Sequence, residues 1–251
     1  MLSDPWFYLA AVPAVLIYGV GKGGLGGALG IIAVPLMALV VPPTQAAAIL
    51  LPILLVMDGF AVSHHYRQTD YQLIKRMLPG AVIGVALGGW ILKVTPEAGL
   101  KLTIGLLSLL FCLQHWLGSP RQTTPPGRLA TGFWSIMTGL SSTAIHAGGG
   151  PASIYLLPLR LPKITLVATM AVLFAILNLV KLFPYMALGE FDSTNLTTAM
   201  VLIPLAPLGV KLGVYLLNYT SQEKVYQLCY LFLFASGLKL SFDGIRVITS
   251  F

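Results

Sequence analysis

The sequence predicts an all-α polytopic membrane protein built from two inverted repeats, each beginning with a glycine-broken helical hairpin, with about 8–10 membrane elements in all. Three observations predict it. The 251-residue chain is 57% hydrophobic and 9% charged, with a mean hydropathy of +0.86, whereas a soluble chain carries roughly 25% charged residues. Its apolar runs approach the roughly 20 residues that span a bilayer as helix. Two glycine clusters, GKGGLGG at 21–27 and HAGGG at 146–150, interrupt paired apolar runs at corresponding places.

The runs fall in order at about 6–21, 25–41, 46–63, 77–92, 99–117, 129–146, 150–161, 164–187, 195–217 and 225–242. The first lacks a basic leader and a small-residue cleavage site, so it reads as a retained helix. Runs 6–21 and 25–41 are each short for a span and together too long for one straight helix; the same holds for 129–146 with 150–161. The halves repeat. GLGGALGIIAVPL (24–36) aligns with AGGGPASIYLLPL (147–159), bringing Pro35 onto Pro158. Pro79, Gly84, Gly88 and Thr95 align with Pro204, Gly209, Gly213 and Thr220, all 125 positions apart. The repeats are therefore 1–117 and 129–251, joined by a polar, proline-rich linker at 118–128.

Orientation follows from the cations. If each broken pair returns to its starting side, one face gathers eight (Arg67, Lys75, Arg76, Arg121, Arg128, Arg160, Lys163, Lys224) and the other four (Lys93, Lys101, Lys239, Arg246). If each pair crosses, the split is seven to five. The positive-inside rule prefers the returning hairpin, and that arrangement inverts one repeat relative to the other. The net charge of +7 thus reads as loop cations, and no basic patch interleaved with aromatics points to nucleic acid. Cys112 and Cys229 lie in apolar runs, without disulfide or metal spacing.

Gly19, Gly21 and Gly24 match G-x-G-x-x-G, but the flanks are helical and apolar, no acid follows until Asp58, and Lys22 is followed by Gly23. Neither a dinucleotide fingerprint nor a phosphate loop survives that context, and no cofactor is expected. Close helix packing explains pairs such as Gly84 and Gly88. Five glycines in seven residues ask for more, because freed backbone groups cannot face lipid. A helix starting near Leu25 presents amides and a positive dipole end to the membrane interior, beside the Lys22 charge. His146, Gly148, Gly149, Gly150 and Pro151 repeat the device, so two helix N-termini meeting near the midplane form a small-anion site.

Other buried polar residues flank it. Asp58, with Asn178 as its counterpart, reads as a coupling carboxylate, as a partner for Lys22, or as a structural hydrogen-bond acceptor. Lys181 shares a helix face with Asn178 and either lines a cavity or snorkels outward; Lys211 is not placed by the sequence. His64 and His65 lie in a basic loop and lack the further ligands a metal needs.

These residues resemble the sulfite exporter TauE/SafE family of membrane transporters. The resemblance is carried by GKGGLGGALGIIAVPLMALVVPPTQAAAILLPILLVMD, AIHAGGGPASIYLLPLRLPK, NLVKLFPYMALGEF and LIPLAPLGVKLG, and spans nearly the whole chain. One departure is AGGGPAS, where AGGPP is expected. The resemblance implies a multi-pass carrier of the bacterial inner membrane that exports sulfite, a sulfonate such as sulfoacetate, or a related anion.

The resulting expectation is a secondary anion transporter with alternating access. Lys22 neutralises the substrate; amides of Gly23, Gly24, Gly26, Gly27, Gly148, Gly149 and Gly150 donate to it; Ser142, Thr143, His146 and Tyr155 supply polar contacts; Asp58, Asn178 and Lys181 line the pocket or couple transport. The partners are the small anion and the lipid bilayer, with homo-oligomerisation left open. An anion channel shares this pocket. A hydrolase using Ser141 or Ser142 with His146 lacks an orienting acid nearby, so no catalytic residue and no metal site are assigned.

Overall fold

The computed structural model describes residues 2–24, 28–117, 127–219 and 222–249. It is all-α, with no strand among the described residues. The first half comprises α1 (Pro5–Gly24), a 3-10 turn (Ala28–Ile32) with the short α2 (Ala33–Met37), α3 (Pro43–His65), α4 (Tyr71–Val94) and α5 (Glu97–Leu117). The second comprises α6 (Arg128–Ile145), α7 (Gly149–Leu156) ending in a 3-10 turn (Leu157–Leu159), α8 (Lys163–Ala187), α9 (Ser193–Leu202), α10 (Leu205–Tyr219) and α11 (Gln222–Thr249). Each expected apolar run becomes one of these helices or a short group of them. The linker positions 118–126 lie outside the described residues. Among those described, α1, α3, α4, α5 and α8 are long and apolar enough to cross a membrane.

One run departs from expectation. The segment 195–217 is two helices, α9 and α10, bent by 44° at a break after Leu202. Pro204 and Pro207 stand three positions apart at this bend and remove two ladder donors, whereas the corresponding part of α4 holds Pro79 alone and stays unbroken. Counted together, α9 and α10 make a sixth candidate span.

Starts are set alike in both halves. Pro42 precedes α3 with φ −52° and ψ 141°, and Pro162 precedes α8 with φ −50° and ψ 138°. The Asp70 side chain accepts from the Leu73 amide at 2.9 Å to cap α4, and Asp192 accepts from the Asn195 amide at 2.7 Å to cap α9.

Helices pack through small-residue seams, since in lipid close backbone approach replaces the hydrophobic drive between helices. On α4, Gly80, Gly84 and Gly88 lie against α6, where a Cβ at each would meet Ser135, Ile136 and Thr143 in turn. Gly139 of α6 presses back on the Ala81 carbonyl. On α10, Gly209 and Gly213 take Leu16, Gly19 and Val20 of α1, and Gly23 abuts the Val210 carbonyl. Gly105 of α5 and Gly237 of α11 meet each other's carbonyls.

Contacts climb together along α4 and α6, so those helices are parallel; α5 and α11 are antiparallel, with Leu102 beside Gly244 and Ser108 beside Gly237. Because α6 starts on the face where α4 starts, and α8 starts near that face with Thr169 accepting from the Asp70 amide at 3.0 Å, the pair α6–α7 leaves and returns on one side. The broken pair is a hairpin. Its face carries Arg67, Lys75, Arg76, Arg128 and Arg160. The apolar core centres on α3, where Leu50, Leu51, Ile53, Leu54 and Met57 are fully buried, while Trp6, Trp90, Phe133 and Phe183 point outward as lipid-facing surface.

The seams predict opposite outcomes for two alanines. Gly84→Ala drives a Cβ onto helix backbone and is expected to cost about 1–3 kcal/mol of packing, outweighing about 1 kcal/mol of helix propensity. At Gly132 a Cβ meets nothing within 4 Å, so Gly132→Ala leaves stability unchanged or raised. Thermal unfolding of both purified variants in detergent checks the contrast.

Candidate functional site

Lys22 stands in the last turn of α1, and Asp58 lies two-thirds along α3. Their side chains form an ion pair only 7% and 5% exposed. Of the three readings of Asp58, this contact shows the partner for Lys22, and a hydrogen bond from Asn178 shows the structural acceptor. Lys22 Nζ also lies 3.4 Å from the Leu54 carbonyl and 5.7 Å from the centroid of the Tyr18 ring. An ammonium has three donors, so these partners leave capacity for a ligand. The second carboxylate oxygen of Asp58 accepts from Asn178 Nδ2 of α8. One carboxylate thus ties α1, α3 and α8 together inside the membrane.

A small cavity opens beside this pair. Tyr18 and Lys22 come from α1, Asp58 and Ala61 from α3, Gly149 from the start of α7, and Val167, Met170, Ala171 and Phe174 from α8. It runs toward the cation-rich face, where α3 ends and α8 begins. In the other direction Leu50, Leu51 and Leu54 leave no exposed surface.

Lys181 is fully buried and does not snorkel. Its Nζ donates to the Ser142 carbonyl at 3.0 Å and Ser142 Oγ at 3.1 Å, and lies 2.7 Å from His146 Nδ1. His146 Nε2 is 2.9 Å from the Ala47 carbonyl, which can only accept. Nε2 therefore carries the hydrogen, and Nδ1 offers its lone pair to the lysine. The backbone helps fix this ring: His146 closes α6 in the left-handed region at φ 53°, and its carbonyl accepts from Tyr18 Oη at 3.1 Å. Tyr185 stacks on the imidazole at 6.2 Å and donates to the Thr143 carbonyl at 2.6 Å.

Of the expected site residues, the structure brings Lys22, Asp58 and Gly149 to the cavity and Asn178 to its edge through Asp58. It places others behind or beside it. Ser142, His146 and Lys181 form the sealed cluster; Thr143 Oγ1 donates back to the Gly139 carbonyl at 2.9 Å; Tyr155 Oη accepts from Thr131 at 3.1 Å. Gly148 packs on Phe174 and Gly150 on Phe111.

The expected amide donors of the first cluster need correction. Gly23 and Gly24 are inside α1, where their N–H groups serve the helix ladder and the unpaired groups are carbonyls. Gly19 and Gly23 serve the α10 seam instead. Leu25, Gly26 and Gly27 lie outside the described residues. Sequence reading also missed Tyr18, although it lies one helical turn before Lys22, and the apolar wall of α8, which carries no polar signal. Lys211 is exposed on α10, and Cys112 is buried with Sγ 3.5 Å from the Tyr230 carbonyl.

The family model described as "TauE: Sulfite exporter TauE/SafE" matches residues 11–240. No curated protein and no solved structure matched the chain.

The ion pair makes a stability prediction. Removing one partner strands the other charge, at a cost of about 3–5 kcal/mol, whereas removing both does not. Asp58→Ala is therefore expected to unfold at markedly lower temperature than the double variant Lys22→Met/Asp58→Asn, as read by thermal denaturation in detergent.

Proposed function

The chain belongs to the sulfite exporter TauE/SafE family of membrane transporters, and on that footing we propose that it is a secondary carrier exporting a small oxyanion, sulfite or an organosulfonate such as sulfoacetate, across a bacterial inner membrane. The observation that carries this reading is an ammonium group, Lys22, facing an otherwise largely apolar cavity inside the membrane. A buried cation with a spare donor, walled by Val167, Met170, Ala171 and Phe174, suits an anion that has shed water.

Gly149 adds the second contact. Its helix begins at the cavity, and first-turn amides have no partner within the helix. The Gly150 and Ala152 amides donate to the Ala147 and Gly148 carbonyls, and Pro151 has none to give. The amides of Gly148 and Gly149 are the ones we assign to substrate. In the bound state Lys22 shares its hydrogens between Asp58 and the anion, so Asp58 and Asn178 set how strongly the lysine holds its cargo.

The apolar seal beyond the pair favours a carrier over a channel. Leu50, Leu51 and Leu54 close the path on the side opposite the cavity mouth, so passage requires the halves to rearrange. The matched starts of α3 and α8, the matched caps of α4 and α9, and the antiparallel α5 and α11 support an inverted pair of repeats, the architecture in which such rocking is common.

Thermal-shift titration of purified protein against sulfite, sulfate, thiosulfate, sulfoacetate and carboxylates tests the reading. A ligand at 100 times its Kd stabilises the native state by about 2.7 kcal/mol, and sulfite or sulfoacetate is expected to raise the midpoint. Lys22→Ala is expected to abolish both that shift and uptake into proteoliposomes, and Lys22→Met/Asp58→Asn to do so in a folded background. Near wild-type uptake by either variant would sink the role of Lys22.

A further inference from the structure

The two halves correspond residue by residue. A Cβ at Gly84 would meet the Ile136 carbonyl, and one at Gly209, 125 positions on, meets the Leu16 carbonyl. Gly88 faces the Leu140 carbonyl and Gly213 the Val20 carbonyl. The exchange thus maps α1 onto α6 with a shift of 120, taking Leu16 to Ile136 and Val20 to Leu140. The same shift takes Pro42 to Pro162 at the starts of α3 and α8, and Asp58 to Asn178. Asp58 and Asn178 are hydrogen-bonded to each other. Two residues that exchange and also touch lie on the exchange axis, so the axis passes through this bond.

Applied to the cavity walls, the exchange yields a definite second set. Tyr18 and Lys22 map to Thr138 and Ser142, Ala61 to Lys181, and Met170, Ala171 and Phe174 to Leu50, Leu51 and Leu54. Every member of that mirror set is at most 2% exposed. The lysines are not exchange mates. Each half-site holds one lysine, delivered from a different helix. Lys181 is also uncompensated: among the described residues no carboxylate pairs with it, and its partners Ser142 and His146 are neutral acceptors. A buried amine without a counter-ion is costly to keep charged, and a small oxyanion would favour its ammonium form.

We propose that Lys181, with Ser142 and Thr138, is a second anion-binding site, latent in this structure and opened to the opposite face when the repeats rock; this rests on the carrier reading above. The anion leaves Lys22 as the α8 wall closes and meets Lys181 as Leu50, Leu51 and Leu54 part.

The mirror pair Ala171 and Leu51 tests this. In a Cys112→Ser/Cys229→Ser background, Ala171→Cys and Leu51→Cys are each treated in vesicles of both orientations with the membrane-impermeant reagent trimethylammonium-ethyl methanethiosulfonate, with and without sulfoacetate. Leu54→Cys replaces Leu51→Cys if the latter fails to fold. The proposal expects Ala171→Cys to label from the cation-rich face and Leu51→Cys from the other, with sulfoacetate slowing both severalfold. Adding Lys181→Gln should remove protection at Leu51→Cys and keep it at Ala171→Cys. If Ala171→Cys is protected while Leu51→Cys stays unlabelled from both faces, the latent site is overturned and the open cavity stands. If sulfoacetate protects Leu51→Cys equally with Lys181→Gln present, the role of Lys181 is overturned. Failure of sulfoacetate to protect Ala171→Cys counts against the open cavity instead.

Discussion

The Asp58 carboxylate is the interaction on which the rest of this structure depends. It accepts from Lys22 on α1 and from Asn178 on α8 while belonging to α3. A carboxylate inside a membrane is tolerated only when fully engaged, and here both oxygens are. The pair fixes the end of α1 against the centre of the bundle, where the lysine borders the cavity. Without Asp58, Lys22 would be a bare buried cation; without Lys22, the cavity would have no positive charge to offer.

Around that point the backbone does two separate jobs with the same residue type. Glycines at Gly19, Gly23, Gly84, Gly88, Gly209 and Gly213 let helices approach until carbonyls fill the space of a missing Cβ. Gly149 instead begins a helix at the cavity. Seams hold α1 to α10 and α4 to α6 as parallel pairs, while α3 and α8 meet across the bond between Asp58 and Asn178. The membrane rewards this arrangement because every backbone group must find a partner inside the protein.

Much of the fold was legible in the sequence. Apolar run lengths marked the helices, cation placement favoured the hairpins, and the 125-residue correspondence linked glycines that do the same packing job in two seams. The site was legible in part. Lys22 and Asp58 are conspicuous because charge is rare in such runs, and their pairing was among the readings of Asp58. The link from Lys181 to His146 was not legible, because it joins residues 35 positions apart through a left-handed turn that no local pattern announces. Nor could glycine content separate packing from amide presentation. Gly23 and Gly149 look alike in sequence and differ only in whether a helix ends or begins there. The bend between α9 and α10 had a readable cause in Pro204 and Pro207, but the continuous apolar run around them masked it.

The central claim is that a small oxyanion rests against Lys22 within the membrane. Selenite, the selenium analogue of sulfite, allows this to be seen directly by anomalous diffraction from crystals of the selenite-bound protein. The account predicts an anomalous selenium peak in the cavity, with selenite oxygens within hydrogen-bonding distance of Lys22 Nζ and the Gly149 amide. A peak confined to surface cations such as Arg67 or Arg160, with the cavity empty, would contradict it.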